Sequence, residues 1–170
     1  GDTWEPIFDH QSAISFGALA IDPNNPDIIY AATGEPSRNV DAYLGNGVYK
    51  STDAGDTWFN IGLTHVGGFY KIYVHPNNSN LIFAGGAQRN QGFYKSTDAG
   101  ETWKKTFPHE VTDITINPDN ENELYIGVDG RGVYFSGNAG ESFTERNNGI
   151  YDNIGRVSVQ MADKNPSLLY

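Results

Sequence analysis

The residues of this chain best suited to chemistry are carboxylates and arginines set in glycine-rich loops. Glu35, Asp41, Asp113 and Asp152 could act in pairs, since glycoside hydrolysis generally needs two carboxyl groups about 5–5.5 Å apart for retention or about 6.5–9.5 Å apart for inversion. Arg38, Arg89 and Arg131 fall in corresponding loops of successive repeats, so they could converge on one anionic group through charge-assisted, bidentate hydrogen bonds. Tyr43 and Tyr151 could stack on sugar rings. Plainer roles stand beside each of these and are preferred. The arginines would pair with acids on a very acidic surface, Glu35 and Asp41 would stabilise a long loop, Asp113 would pair with Lys71 across neighbouring sheets, and Asp152 would belong to a polar turn. No residue is assigned to catalysis outright; if the chain is hydrolytic, Glu35, Asp41 and Asp113 are the candidates. The ligand-binding set is Glu35, Arg38, Asp41, Tyr43, Arg89, Arg131 and Tyr151.

Other chemistries find no support. His10, His65, His75 and His109 are scattered over different positions of the repeat, which suits neither a zinc site nor a Ser/His/Asp triad. Asp53 and Asp98 sit near glycines but lack the succession of oxygen ligands that calcium requires. No metal and no cofactor are therefore expected. The chain has no cysteine, so neither disulfides nor thiolate sites contribute. A net charge of -10 would repel the backbone of a nucleic acid. No apolar run approaches the roughly 20 residues of a membrane span. Asn77-Asn78-Ser79 has the form of a glycosylation acceptor and is read as part of a turn.

The elements that must position these residues follow from internal repetition. Gly47-Val48-Tyr49-Lys50-Ser51-Thr52-Asp53-Ala54-Gly55-Asp56-Thr57-Trp58 recurs almost unchanged from Gly92 to Trp103 and more loosely from Gly132 to Phe143, while Gly1-Asp2-Thr3-Trp4 is the tail of another copy. A second motif keeps step with it: Ile21-Asp22-Pro23-Asn24, Val74-His75-Pro76-Asn77 and Ile116-Asn117-Pro118-Asp119 each join two strands through a turn, and the segment Met161–Tyr170 resembles them. Apolar alternation gives four short strands per unit. Four antiparallel strands in each repeat of about 40 to 50 residues predict the blade of a β-propeller.

The expected fold is therefore all-β, with about three complete four-stranded blades and two partial ones. Residues 1–10 would end a preceding blade, 11–62, 63–108 and 109–147 would each form one, and 148–170 would supply the first two strands of another. The rest of the ring would come from missing parts of the same chain. In the joining turns Asp53 and Asp98 are expected to accept backbone hydrogen bonds, with Gly55 and Gly100 at positive φ. Ser51, Ser96 and Ser136 open these turns. Trp58 and Trp103 would wedge between neighbouring blades; Asn138, Gly140 and Phe143 preserve the chemistry in the weaker copy.

These turns resemble the Asp-box, or BNR, repeats of sialidases, sortilin-type propellers, bacterial xyloglucanases and photosystem assembly factors. The pairing of the Asp22–Gly34 segment with Gly47–Trp58 is most similar to the sortilin and xyloglucanase side. The resemblance covers essentially the whole chain and implies a secreted or cell-surface protein, bacterial in origin. Sialidases use an arginine triad for a carboxylate, but their Arg-Ile-Pro signature is absent. In a four-stranded meander the Pro/Asn turns and the Asp boxes share one face. The other face carries variable loops, and loops of that kind are where binding residues concentrate. The leading expectation is a non-catalytic recognition or scaffold propeller that binds a protein or a carbohydrate there. The alternative is a segment of a xyloglucanase-like or sialidase-like glycoside hydrolase with its carboxylates on the same face. An assembly factor docking on a membrane complex is a third reading, and the acidic charge opposes it.

Overall fold

The computed structural model describes residues 3–37, 39, 41–150, 154–162 and 165–170; Arg38, Tyr151 and Asp152 lie outside the described residues. The described secondary structure is strand and turn. The strands are β1 (Phe16–Asp22), β2 (Asn25–Thr33), β3 (Val48–Ser51), β4 (Phe59–Asn60), β5 (Gly68–His75), β6 (Asn78–Ala87), β7 (Gly92–Ser96), β8 (Lys104–Phe107), β9 (Val111–Ile116), β10 (Leu124–Val128), β11 (Gly132–Ser136), β12 (Thr144–Glu145), β13 (Met161–Ala162) and β14 (Asn165–Leu169). β1 to β4, β5 to β8 and β9 to β12 form three four-stranded antiparallel meanders, and β13 pairs with β14.

The sheets stack face to face, and the second strand of each shows why. In β6 every residue from Leu81 to Ala87 is buried, which is the pattern of a strand covered on both faces. Successive side chains point to opposite faces, so Ile82 and Ala84 enter the core shared with the first sheet. Leu81 and Phe83 enter the core shared with the third. The fully buried Phe83 ring alone accounts for roughly 1.5–3 kcal/mol of transfer free energy. β1 breaks the pattern. Phe69, Ile72 and Val74 on β5 are buried, yet their equivalents Phe16, Leu19 and Ile21 are exposed.

The turns between third and fourth strands lock in the same way three times. The Ser51 hydroxyl donates to Asp53 Oδ1 at 2.8 Å and accepts the Gly55 N–H at 2.8 Å. Asp53 accepts the Thr57 N–H at 2.8 Å and the Thr57 hydroxyl at 2.5 Å. Ser96, Asp98, Gly100 and Thr102 repeat the arrangement. In the third copy Asn138 Oδ1 accepts from the Ser136 hydroxyl and the Ser142 N–H, and Asn138 Nδ2 donates to the Ser142 hydroxyl. The Thr102 hydroxyl leads the bonds that hold the Asp98 carboxyl down to about 2. Gly55, Gly100 and Gly140 stand at positive φ, at 102°, 92° and 78°, and Ala54, Ala99 and Ala139 just before them adopt it too, at 56°, 55° and 52°. A left-handed non-glycine residue carries a real cost, and here the serine and aspartate bonds on either side of it hold the conformation.

The aromatic side chain after each turn packs against the preceding element. Trp103 donates its Nε1–H to the Ile61 carbonyl at 3.0 Å, Phe143 meets Phe93 and Phe107 of the second sheet edge to face, and Trp58 meets Phe8. The turns joining first to second strands lie on the same face as these locks, since Ala54, Ala99 and Ala139 donate their N–H groups to Asp27, Asn80 and Asn122. Sheets are stitched there too, by Asn24 Nδ2 to the Pro76 carbonyl and Asn77 Nδ2 to the Pro118 carbonyl.

Candidate functional site

Opposite this uniform face, the loops that join second to third strands differ from sheet to sheet. The longest runs from Gly34 to Gly47 and lies across the start of the second sheet. Its backbone is held by the Gly34 N–H to the Ser15 carbonyl, the Glu35 N–H to the Tyr43 carbonyl and the Gly45 N–H to the Gly67 carbonyl, each at 2.9 Å. Gly34, at φ 94°, has no room for a Cβ, which would stand 2.4 Å from the Gly67 oxygen. The approach of the two segments depends on that missing atom.

The second sheet grips the loop with Gln88. This residue sits in the left-handed region at φ 58°, and its Nε2 donates to the Glu35 carbonyl at 2.8 Å and to the Ser37 carbonyl. Its own loop is fixed by the Gly67 N–H to the Arg89 carbonyl at 2.9 Å and by Asn90 Nδ2 to the His65 carbonyl at 2.8 Å. Between the two loops lies a cleft of about 550 Å³ lined by Ser37, Asn39, Ala42, Leu44, Gln88, Gln91 and Glu110.

Glu110 precedes β9 and is buried at 5% exposure. Tyr70 stands next to it. Burial, the Glu110 charge and a hydrogen bond to the Glu110 carboxylate push the Tyr70 hydroxyl above its ordinary pKa. The Arg156 guanidinium covers the Tyr70 ring at 4.7 Å, and the Asp129 N–H donates to the Glu110 carbonyl at 3.1 Å. A carboxylate, a phenol, a guanidinium and a second acid therefore meet at the ends of three sheets.

The residues singled out from sequence are distributed less compactly. Glu35 is half-buried, Asp41 and Tyr43 are exposed, and the loop is anchored through the Glu35 and Tyr43 main chain. Arg89 and Arg131 are exposed; Arg131 and Lys105 lie near His109, whose pKa is lowered first by partial burial and then by those two charges. Asp113 lies on β9, away from the loops, and meets Lys71 of the neighbouring sheet at 3.2 Å. It also accepts the Ser158 hydroxyl at 2.5 Å and the Val159 N–H at 3.2 Å. Burial pushes its carboxyl up, but the Ser158 bond and the Lys71 charge outweigh burial and hold it below the usual range.

Sequence reasoning missed Glu110, Gln88 and Gln91. The signal for Glu110 was available: at the matching position, at the start of the first strand, the other two sheets carry the small residues Ser15 and Gly68, so a carboxylate there departs from the repeat. Gln88 and Gln91 carried no such mark.

No family model matches the chain. In an alignment of 102 positions that covers 52% of this chain, it is 32% identical to a xyloglucanase from Paenibacillus sp, of which it spans 10%. Its structure superposes on an ancestral GH74 enzyme with a TM-score of 0.73 and 22% identity, covering 98% of this chain and 22% of that one. The sheets are blades of a β-propeller. A GH74 xyloglucanase from Xanthomonas campestris matches with a TM-score of 0.59 and 21% identity, over 80% of this chain and 24% of the enzyme. The blades thus correspond to about a quarter or less of each of these proteins.

Proposed function

We propose that this chain is part of an exported bacterial glycoside hydrolase of the xyloglucanase-like propeller group, which takes a polysaccharide on its loop face. The observation that carries the reading is the 32% identity to a xyloglucanase. It favours the hydrolase over the recognition or scaffold reading that the sequence alone put first. The Ser-x-Asp-x-Gly turns are Asp boxes in this reading, and their hydrogen bonds make them stabilising devices. The exposed Phe16, Leu19 and Ile21 occupy positions that carry a preceding blade on the other sheets, which supports a ring completed by further blades of the same protein. Glu35 and Asp41, both on the Gly34–Gly47 loop, are the carboxyl groups proposed to act on a substrate. Asp113 is set aside, because Lys71, Ser158 and Val159 already engage it.

The test is release of reducing sugar from xyloglucan and other β-glucans by the protein and by its Glu35→Gln and Asp41→Asn variants. Turnover that falls at least a hundredfold in either variant supports the hydrolase. Binding without turnover returns the recognition module, and neither binding nor turnover overturns the polysaccharide reading altogether.

A further inference from the structure

We infer that Asn148 is a self-modification site: its side-chain amide condenses with the Gly149 backbone nitrogen and passes through a succinimide to aspartate and isoaspartate. The site is independent of the polysaccharide reading and lies where the chain leaves the third blade.

Water is the sole co-reactant. The Gly149 nitrogen bonds to Asn148 Cγ and gives up its proton, the Cγ–Nδ2 bond breaks, and ammonia leaves. Water then opens the cyclic imide. Cleavage between Cγ and nitrogen gives aspartate, whereas cleavage between the main-chain carbonyl carbon and nitrogen gives isoaspartate, with the chain routed through the side chain. The closing step needs a backbone N–H unhindered by a side chain, hence glycine, and an amide able to swing over it.

Asn-Gly occurs twice, at Asn46-Gly47 and Asn148-Gly149, and the fold treats the two oppositely. Asn148 and Gly149 are exposed. They form a turn closed by the Ile150 N–H to the Asn147 carbonyl at 2.9 Å, with Gly149 at φ 85°, the positive value that a type II turn requires there. A Cβ on Gly149 would have nothing within 4 Å. Among the described residues, neither the Asn148 amide nor the Gly149 N–H has a hydrogen-bond partner.

Asn46 is clamped. Its Nδ2 donates to the Ser12 hydroxyl at 2.8 Å and the Tyr49 hydroxyl at 3.2 Å, its N–H to Thr33 Oγ1 at 2.9 Å, and its carbonyl accepts from Asn60 Nδ2 at 2.6 Å. Gly47 is buried. Releasing the two side-chain bonds alone lowers the reactive population about 30-fold. Asp129-Gly130 could close the same imide with loss of water, but its Gly130 N–H donates to the Gly155 carbonyl at 3.2 Å. Isoaspartate at 148 adds a carboxylate and a main-chain methylene directly after Asn147, whose side chain binds the Arg131 carbonyl at 2.6 Å and the Val133 N–H at 2.8 Å.

The test is incubation at mildly alkaline pH, folded and in guanidinium chloride, then removal of denaturant, labelling by an isoaspartyl methyltransferase with radioactive S-adenosylmethionine, and peptide mapping. In the folded protein the Asn148 peptide should gain label at least tenfold faster than the Asn46 or Asp129 peptide. Denaturant removes the clamp and should bring Asn46 close to the Asn148 rate. Asn148→Gln, with no partner to lose, should cut total label in the folded protein at least fivefold at an unchanged melting temperature. Asn46 or Asp129 keeping pace with Asn148 in the folded protein, an Asn46 deficit that persists in denaturant, or no label at Asn148 would each overturn the site, and none of these bears on hydrolysis.

Discussion

The Gln88 grip on the long loop gives a prediction whose size can be worked from geometry. Gln88→Ala removes both amide donors and leaves the Glu35 and Ser37 carbonyls to find water. At about 1 kcal/mol net per hydrogen bond the loop loses about 2 kcal/mol, or about a 30-fold shift toward the open state. Alanine keeps the left-handed φ of 58° at a cost similar to glutamine. Gln88→Gly also removes the donors but relieves that conformation, which costs a non-glycine residue about 1–2 kcal/mol. Glycine should therefore recover roughly half or more of the loss. The assay is native-state amide hydrogen exchange at Gly34, Glu35 and Gly45, whose N–H groups hold the loop. Gly55 and Gly100, bonded to Ser51 and Ser96 on the opposite face, serve as controls. Loop amides should exchange about 30-fold faster in the alanine variant, with controls unchanged and the glycine variant in between. Loop protection equal in all three proteins would refute the reasoning, because Gln88 would then hold nothing.

Other perturbations follow from the same structure. Asp98, whose folded pKa is about 2 against 3.8 unfolded, contributes stability that is complete above pH 4 and lost as pH falls toward 2; melts of Asp98→Asn over this range should show a smaller acid-induced drop, and identical profiles would contradict the assignment. His75 is lowered by burial despite the Glu121 charge and accepts the Asn77 N–H at Nδ1, so its neutral form is the folded one. Its contribution is present above pH 6.5 and lost as pH falls through its lower folded value. His75→Asn, which copies the Asn117 acceptor of the third blade, should remove that dependence in pH-resolved denaturation. Trp103→Phe keeps a ring but loses the bond to Ile61 and should cost about 1 kcal/mol, while Trp103→Ala should cost about 3–5 kcal/mol in urea unfolding. Equal losses would show that the ring itself contributes nothing.

The contrast between the two faces explains how much could be read before the structure. The Ser51–Thr57 turn was legible because all its partners lie within a few residues, so local chemistry specifies it; even Asn138 and Phe143 kept their roles. The Lys71–Asp113 pair was legible from its place on matching strands. The serine hydroxyl was underrated, since it rather than the aspartate binds the glycine N–H. Glu110 and Gln88 were illegible for another reason. Gln88 acts on carbonyls more than fifty residues away, and Glu110 meets Tyr70 of the neighbouring blade, so their meaning depends on how whole sheets are placed. Glu35 and Asp41 were legible as members of a long loop, but it is Ser37, Asn39, Ala42 and Leu44 of that loop that line the cleft.

The central claim is that the uniform turn face stabilises and the loop face binds. Backbone amide NMR shifts recorded during titration with cellotetraose test it directly. The account predicts shifts at Ser37, Asn39, Gln91 and Glu110, with Asn24, Gly55, Asn77 and Gly100 undisturbed. Shifts confined to those turn residues, or none at either face, would contradict it.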